Sequence, residues 1–383
     1  VLSSRKVFLF GFFLIFVSQA ITDVQPATEK EQIRNIWFHQ VPAVSKAPVI
    51  DGKIDDDCWR ELPALTNFGR DRYSLKSTHP LIPMSLKLGY DKVYLYCLWK
   101  IANPAGEFRV DYEALRKKQQ EAMYDSAMFW NQPSLEFRID GRRDRLGETM
   151  IQMNLVGQKE AFQKIATGWS TEYTEGWDIW ADYSYVAGFN ESGWWVEMKV
   201  ALRDLNVEPR PGYIMGAQFR YFHKPGVYFA WTPAGYDTSG YGDLLLVEKP
   251  LPMEKALELI CPEYRDLVVR MPQPEKVVVV EKGRISEMGY RQTLYQDWEK
   301  ITERKQQLER LLINCPLLQK EKILETIKKS WESLDKEIGG LMEVGAAEIM
   351  RLKQPMEELS WYLEQLKAMM QIHNLLTEHR KQP

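Results

Sequence analysis

Histidine and cysteine are scarce in this chain, at five and four of 383 residues. Cys58, Cys97, Cys261 and Cys315 form no CxxC pair and no dense framework, so no disulfide-stapled miniature fold is encoded. Their spacing leaves open whether any two of them pair. Cys97 lies in an apolar strand and Cys58 beside Trp59, which suits buried thiols. No H-E-x-x-H, G-x-S-x-G or phosphate-loop signature occurs, and no catalytic residue is assigned. An excess of one charge is also missing. Fifty Lys and Arg stand against 53 Asp and Glu, so there is no basic footprint for nucleic acid.

A long apolar run is found only at the start, in 5-RKVFLFGFFLIFVSQA-20. Arg5 and Lys6 precede an apolar stretch from Val7 to Val17, and Ser18 and Ala20 are small residues at a cleavage position. The run is shorter than the roughly 20 residues of a spanning helix. Residues 1–20 therefore read as a signal peptide, with an uncleaved anchor as the alternative. The expectation is a secreted, periplasmic or cell-envelope protein, with residues 21–47 as a linker.

Tryptophan, by contrast, is abundant, with 13 in the chain. Strand-like runs follow one another over Met84–Tyr90, Val93–Trp99, Ser134–Asp140, Thr149–Val156, Asp178–Ala187, Trp194–Leu202, Ile214–Phe222, Val227–Trp231 and Asp243–Val247. Turn residues separate most of them, among them Asp91-Lys92, Gly141-Arg142 and Pro211-Gly212. Many short strands without helical alternation predict an antiparallel β-sandwich or jelly roll over residues 48–250. One charged, helix-favouring stretch, 112-YEALRKKQQEAM-123, interrupts them. Residues 251–284 read as a connecting segment, with Val277–Val280 as one strand or docking piece. Beyond residue 284, apolar residues recur at three and four. Leu324, Ile327, Trp331, Leu334 and Ile338 form one stripe, and Ile349 to His373 form another. Breaks at Pro316 and Gly339-Gly340 predict a helical hairpin or three-helix bundle over residues 285–383, with a self-associating coiled coil as the other packing. Pro355 should kink the last helix or mark its start.

Several motifs then recur in a known order. The stretch 48-PVIDGKIDDDCW-59 resembles the opening of family-9 carbohydrate-binding modules. The pair 88-LGYDKVYLYCLWKI-101 resembles that family's strand, turn and strand, and 127-AMFWNQPSLEFRID-140 its W-x-x-D-S-V-E-I-F-I-D run. The block 193-GWWVEMKVALRDLNVEPRPGYIMGAQFRYF-222 and the close, 231-WTP-233 with 240-GYGDLLL-246, are similar to its later elements. The resemblance covers roughly half of the chain, from Pro48 to Val247. It implies a sandwich that binds glycan without catalysis, with a sugar ring held between two indoles. Matched by motif, these are Trp130 and Trp231, with Glu136, Gln152 and Asn154 orienting the hydroxyls. An indole is a rigid apolar plate suited to the CH face of a pyranose. Two positions depart from the pattern. Pro133 replaces an Asp, and Gln152 replaces an Arg, which removes a forked, charged donor.

Other readings stand beside this one. The fold can serve as a structural or assembly module of the cell envelope with no sugar. A paired-carboxylate glycosidase is not excluded by spacing. Haem held by Met or His, with His223 as candidate, is a third. Asp55, Asp56 and Asp57 supply oxygens of the kind that hold structural calcium, without EF-hand spacing. The C-terminal helices are candidates for self-association or a protein partner.

Overall fold

The structure is a computed structural model. It describes residues 33–71, 80–102, 133–154, 159–165, 181–232, 238–273, 276–313, 322–341 and 346–379, with Ser74, Ala114, Lys117, Trp177, Asp178 and Cys315. The expected signal peptide, most of the 112–123 stretch, and Trp130 lie outside the described residues.

In chain order the elements begin with β1 (Ile33–Asn35), β2 (Phe38–Pro42), the one-turn helix α1 (Asp57–Glu61), β3 (Ala64–Leu65) and β4 (Gly69–Arg70). The body follows as β5 (Met84–Tyr90), β6 (Tyr94–Ala102), β7 (Ser134–Asp140), β8 (Gly147–Asn154), β9 (Lys159–Ile165), β10 (Trp177–Asp178), β11 (Tyr183–Asn190), β12 (Gly193–Ala201), β13 (Ile214–Lys224), β14 (Val227–Ala230) and β15 (Gly242–Val247). Then come α2 (Met253–Ile260), β16 (Val268–Pro272), β17 (Val277–Glu281), β18 (Arg284–Met288), α3 (Tyr290–Leu312), α4 (Lys322–Gly339) and α5 (Ala346–His379).

Two sheets form the expected sandwich. One runs β10-β9-β8-β7-β13-β14-β4, with β15 and β2 attached beside β13. The other runs β11-β12-β6-β5-β3. Period-two alternation decides which side chains meet between them. Leu135, Phe137 and Ile139 of β7 point inward, as do Trp194, Val196, Met198 and Val200 of β12. Trp99 of one sheet meets Phe219 of the other edge-on, at 6.1 Å between ring centres.

The opening motif closes the outer face of the five-stranded sheet. Glu197, which alternation turns away from the core, is fully buried there. Its carboxylate accepts from the Gly52 amide at 2.7 Å and from the Trp59 indole at 2.8 Å. The Trp195 indole donates to the Gly52 carbonyl at 2.9 Å. Gly52 has φ +84°, and a Cβ there would stand 2.9 Å from Val186. Backbone shape and close approach therefore both call for glycine in this Asp-Gly turn. Asp56 accepts from the Val49 amide at 3.1 Å, so this carboxylate ties the loop to itself.

Within the segment expected to be a linker, residues 33–42 pair with two other strands. β2 runs parallel to β15, Phe38 opposite Asp243, and β1 runs parallel to β16, Ile33 opposite Val268. Extended backbone needs partners when buried, and two sheet edges supply them. The connecting segment likewise becomes a third, four-stranded sheet, β1-β16-β17-β18. It shares a small core with α2 through Leu257, Ile260, Val269, Met271 and Val280.

The C-terminal helices form a three-helix bundle. Its stripes meet each other within the chain: Leu294 and Trp298, Ile327 and Leu334, and Leu352, Leu359 and Leu363 share one core. Trp298 and Trp331 stack at 6.0 Å, with the Lys305 ammonium 4.5 Å over the second ring. Pro355 lies inside α5, which begins at Ala346. The bundle leans on the sandwich, where α5 meets β4 and the Lys353 ammonium stands 5.9 Å over the Trp37 ring.

Replacing Glu197 by Ala strands two buried donors. It should lower unfolding free energy by about 2–4 kcal/mol, read by urea denaturation, while the far-ultraviolet spectrum keeps its native shape.

Candidate functional site

The face of the nine-stranded sheet that turns away from the core is charged. In the strand LEFRI, Glu136 and Arg138 alternate with the inward apolar residues. In AQFRYF, Gln218 and Arg220 do the same. Register brings these positions into rows. Arg220, Glu136 and Gln152 stand side by side across β13, β7 and β8. In the next row but one, Ser134 stands opposite Asn154.

Contacts make the first row a network. One oxygen of Glu136 accepts from Arg138 Nε at 2.8 Å and from Arg220 Nη1 at 2.9 Å. Its other oxygen accepts from Gln152 Nε2 at 2.6 Å. Arg138 Nη1 reaches Glu148 at 2.6 Å, and the Tyr241 hydroxyl donates to the same carboxylate. Arg220 Nε donates to Asp71 at 2.8 Å. Three carboxylates thus surround two guanidiniums, and Glu136, Arg138, Arg220 and Asp71 have no exposed surface. Burial alone would raise the Glu136 carboxyl. The charges of Arg138 and Arg220, with hydrogen bonds from Arg138 and Gln152, outweigh burial and hold its pKa at about 2.

The candidate residues fall on two different faces. Glu136, Gln152 and Asn154 share the charged face, and Asn154 is fully buried on it. Trp231 does not join them; its place is the core. It continues the phase of Val227 and Phe229, its amide donates to the Phe219 carbonyl at 3.0 Å, and its ring stacks on Phe219 at 5.5 Å. Only 1% of it is exposed. Gly242 is a glycine because the indole lies against it: a Cβ there would sit 2.6 Å from the ring. Gln218 then fixes the following residue, exchanging hydrogen bonds with both the amide and the carbonyl of Thr232. Arg138, Arg220, Glu148, Asp71 and Tyr241 were not anticipated as site residues. For the two arginines the signal was present, since a charge between apolar residues of a buried strand must meet a countercharge.

The remaining candidates are placed as follows. His223 is buried, its Nδ1 3.0 Å from the Tyr221 hydroxyl. The four cysteines are buried free thiols, and burial pushes Cys58 up to about 11. Among the described residues no three His, Cys, Asp or Glu side chains gather in a way that could hold a metal ion.

No family model and no curated protein matches the chain. Among solved structures it is similar to a family-9 carbohydrate-binding module from Caldicellulosiruptor kristjanssonii in complex with glucose. Identity is 18% and the TM-score 0.38, over 56% of this chain and 98% of that one. A second structure of such a module from that organism, with cellotriose, matches at 17% identity and TM-score 0.38, over 56% and 99%.

Glu136 is ionised in the folded protein at pH values where the unfolded chain, with a carboxyl near 4.5, already takes up protons. Its contribution is therefore complete above about pH 4.5 and lost as pH falls toward 2. Glu136→Gln should cost about 3–5 kcal/mol at pH 7 by leaving two buried cations short of a partner. Denaturation at pH 7 and at pH 3 should show that the penalty shrinks in acid.

Proposed function

We propose that this chain is a non-catalytic glycan-binding protein that acts outside the cytoplasm, with its ligand on the charged face of the nine-stranded sheet. The observation that carries the reading is the ordered set of motifs from Pro48 to Val247 that resembles family-9 modules, laid over a buried polar row of Arg220, Glu136 and Gln152. Adjacent strands there hold a guanidinium, a carboxylate and an amide in fixed order. These three side chains are at most 3% exposed and bond one another, so they form a braced polar floor beneath a ligand rather than its hydroxyl partners. Trp130 supplies the apolar plate. It stands four residues ahead of Ser134 in the sequence, at the position the motif match gives to a stacking indole. Asn154, opposite Ser134, is the polar group at that end of the row. Trp231 acts from beneath, as core packing under the sheet.

A second reading is favoured by one specific feature. Glu136 already has three internal donors, as a purely structural network would. On that reading the sandwich is an assembly module of the cell envelope, and the helical bundle carries its partner.

Calorimetry against mono- and oligosaccharides, glucose and cellotriose among them, separates the two. Glycan binding predicts heat with at least one sugar and an affinity loss of about tenfold or more in Trp130→Ala, with melting unchanged. Trp231→Phe should keep most of the affinity and lower the melting temperature instead. Absence of heat with every sugar, together with a mass that rises with concentration and falls back on removing residues 285–383, would favour the assembly module.

A further inference from the structure

A second cavity lies away from the charged face, where the small sheet, the helical bundle and Trp37 come together. Its volume is about 410 Å³, within the range of small-molecule sites. Asn35 and Arg270, paired across β1 and β16, form one wall. Leu294 and Ile301 of α3 and Ile349 and Met356 of α5 form the apolar walls. We propose that this cavity is a second binding site, for a small carboxylate on a flat apolar body.

Two buried donors on its lining lack an acceptor among the described residues: Arg270 Nε and the Trp37 indole Nε1. Arg270 is only 6% exposed, and its Nη1 is held by Asp297 at 2.5 Å. The guanidinium is thus fixed in direction, with its Nε edge unused. Buried donors are nearly always satisfied in folded proteins, so a pair left over on one cavity calls for an oxygen-bearing guest. A carboxylate brings two acceptor oxygens to such a lining.

Charge points the same way. The lining holds three cations, Arg270, Lys300 and Lys353, against Asp297 and Glu357. Asp297 is taken by Arg270, and Glu357 lies 3.7 Å from Lys353. Lys300 has no ion pair among the described residues, which leaves a positive surplus at the site. The body of the guest follows from the walls. Tyr290 sends its hydroxyl to the Gln273 carbonyl and so offers the cavity a ring rather than a donor. With Trp37 and the four aliphatic residues, this makes a slot for an aromatic or similarly flat group.

The site does not depend on the glycan reading, and its test uses the whole chain. Benzoate, hexanoate and the uncharged isostere benzamide are titrated by ligand-observed NMR. Benzoate should bind with a dissociation constant of about 1 mM, reasonable for a nine-atom ligand. Hexanoate should bind more weakly, and benzamide at least about fivefold more weakly. Trp37→Phe removes the indole donor together with part of the ring, and Lys300→Gln removes only an exposed charge. Each should weaken benzoate by about fivefold while the melting temperature holds. Glucose and cellotriose should not displace it. Equal binding of benzamide and benzoate, unchanged affinity in both variants, or no benzoate binding up to about 20 mM would overturn the proposal.

Discussion

A carboxylate buried between two guanidiniums can be satisfied in very few ways, and much of this sandwich is arranged around one. Glu136 reaches Arg138 on its own strand, Arg220 on β13 and Gln152 on β8. Register between the three strands is fixed twice over. The inward apolar residues fix it, since a slip of one position would turn Phe137 and Phe219 outward. The outward charges fix it again, since the same slip would leave ions in a dry place without partners. Arg220 extends the tie to Asp71 just after β4, and Arg138 to Glu148 and Tyr241.

The other sheet uses the same device with different chemistry. Glu197 also points away from the core and is also fully buried, but its partners are an indole and a glycine amide. Each sheet thus turns an acid outward and uses it to tie together separate parts of the chain. In the five-stranded sheet the fastened part is the opening Asp-Gly turn. In the nine-stranded sheet it is a set of arginines that alternation had already brought to the same face. An acid held by neutral donors serves as a clasp. An acid held by fixed cations also orders a polar surface.

Much of the fold was readable from local pattern. The limits of β5 and β7 fall where alternation places them, and α3 and α4 end near the Pro and Gly breaks. What failed to show was pairing between remote segments. β1 and β2 carry too few residues for a period to emerge, and only their partners near the other end of the sandwich make them strands. β9, KEAFQKI, is so rich in charge that its alternation is masked. Of the site, the polar residues of β7 and β8 were legible because strand parity puts them on one face. Trp231 was harder. Its aromatic character invites a role as a platform, yet its phase with Val227 and Phe229 places it inside. Residue type gave the wrong hint there, and position gave the right one. For the two arginines the signal was present but conditional: a charge reads as surface until its strand is known to be buried on both faces.

The double pairing of residues 33–42 bears on how the molecule is made. β2 waits for β15 and β1 waits for β16, so both must remain without their sheet partners until most of the chain exists. Contacts of such long range slow folding, because a large loop must close before any hydrogen bond rewards it. The small sheet can gather β16, β17 and β18 as a local meander, but it gains its fourth strand only when the opening of the chain comes back to it. The sandwich and the small sheet are therefore completed by one short ribbon. Paired with partners far along the chain, that ribbon ties the sandwich to the small sheet.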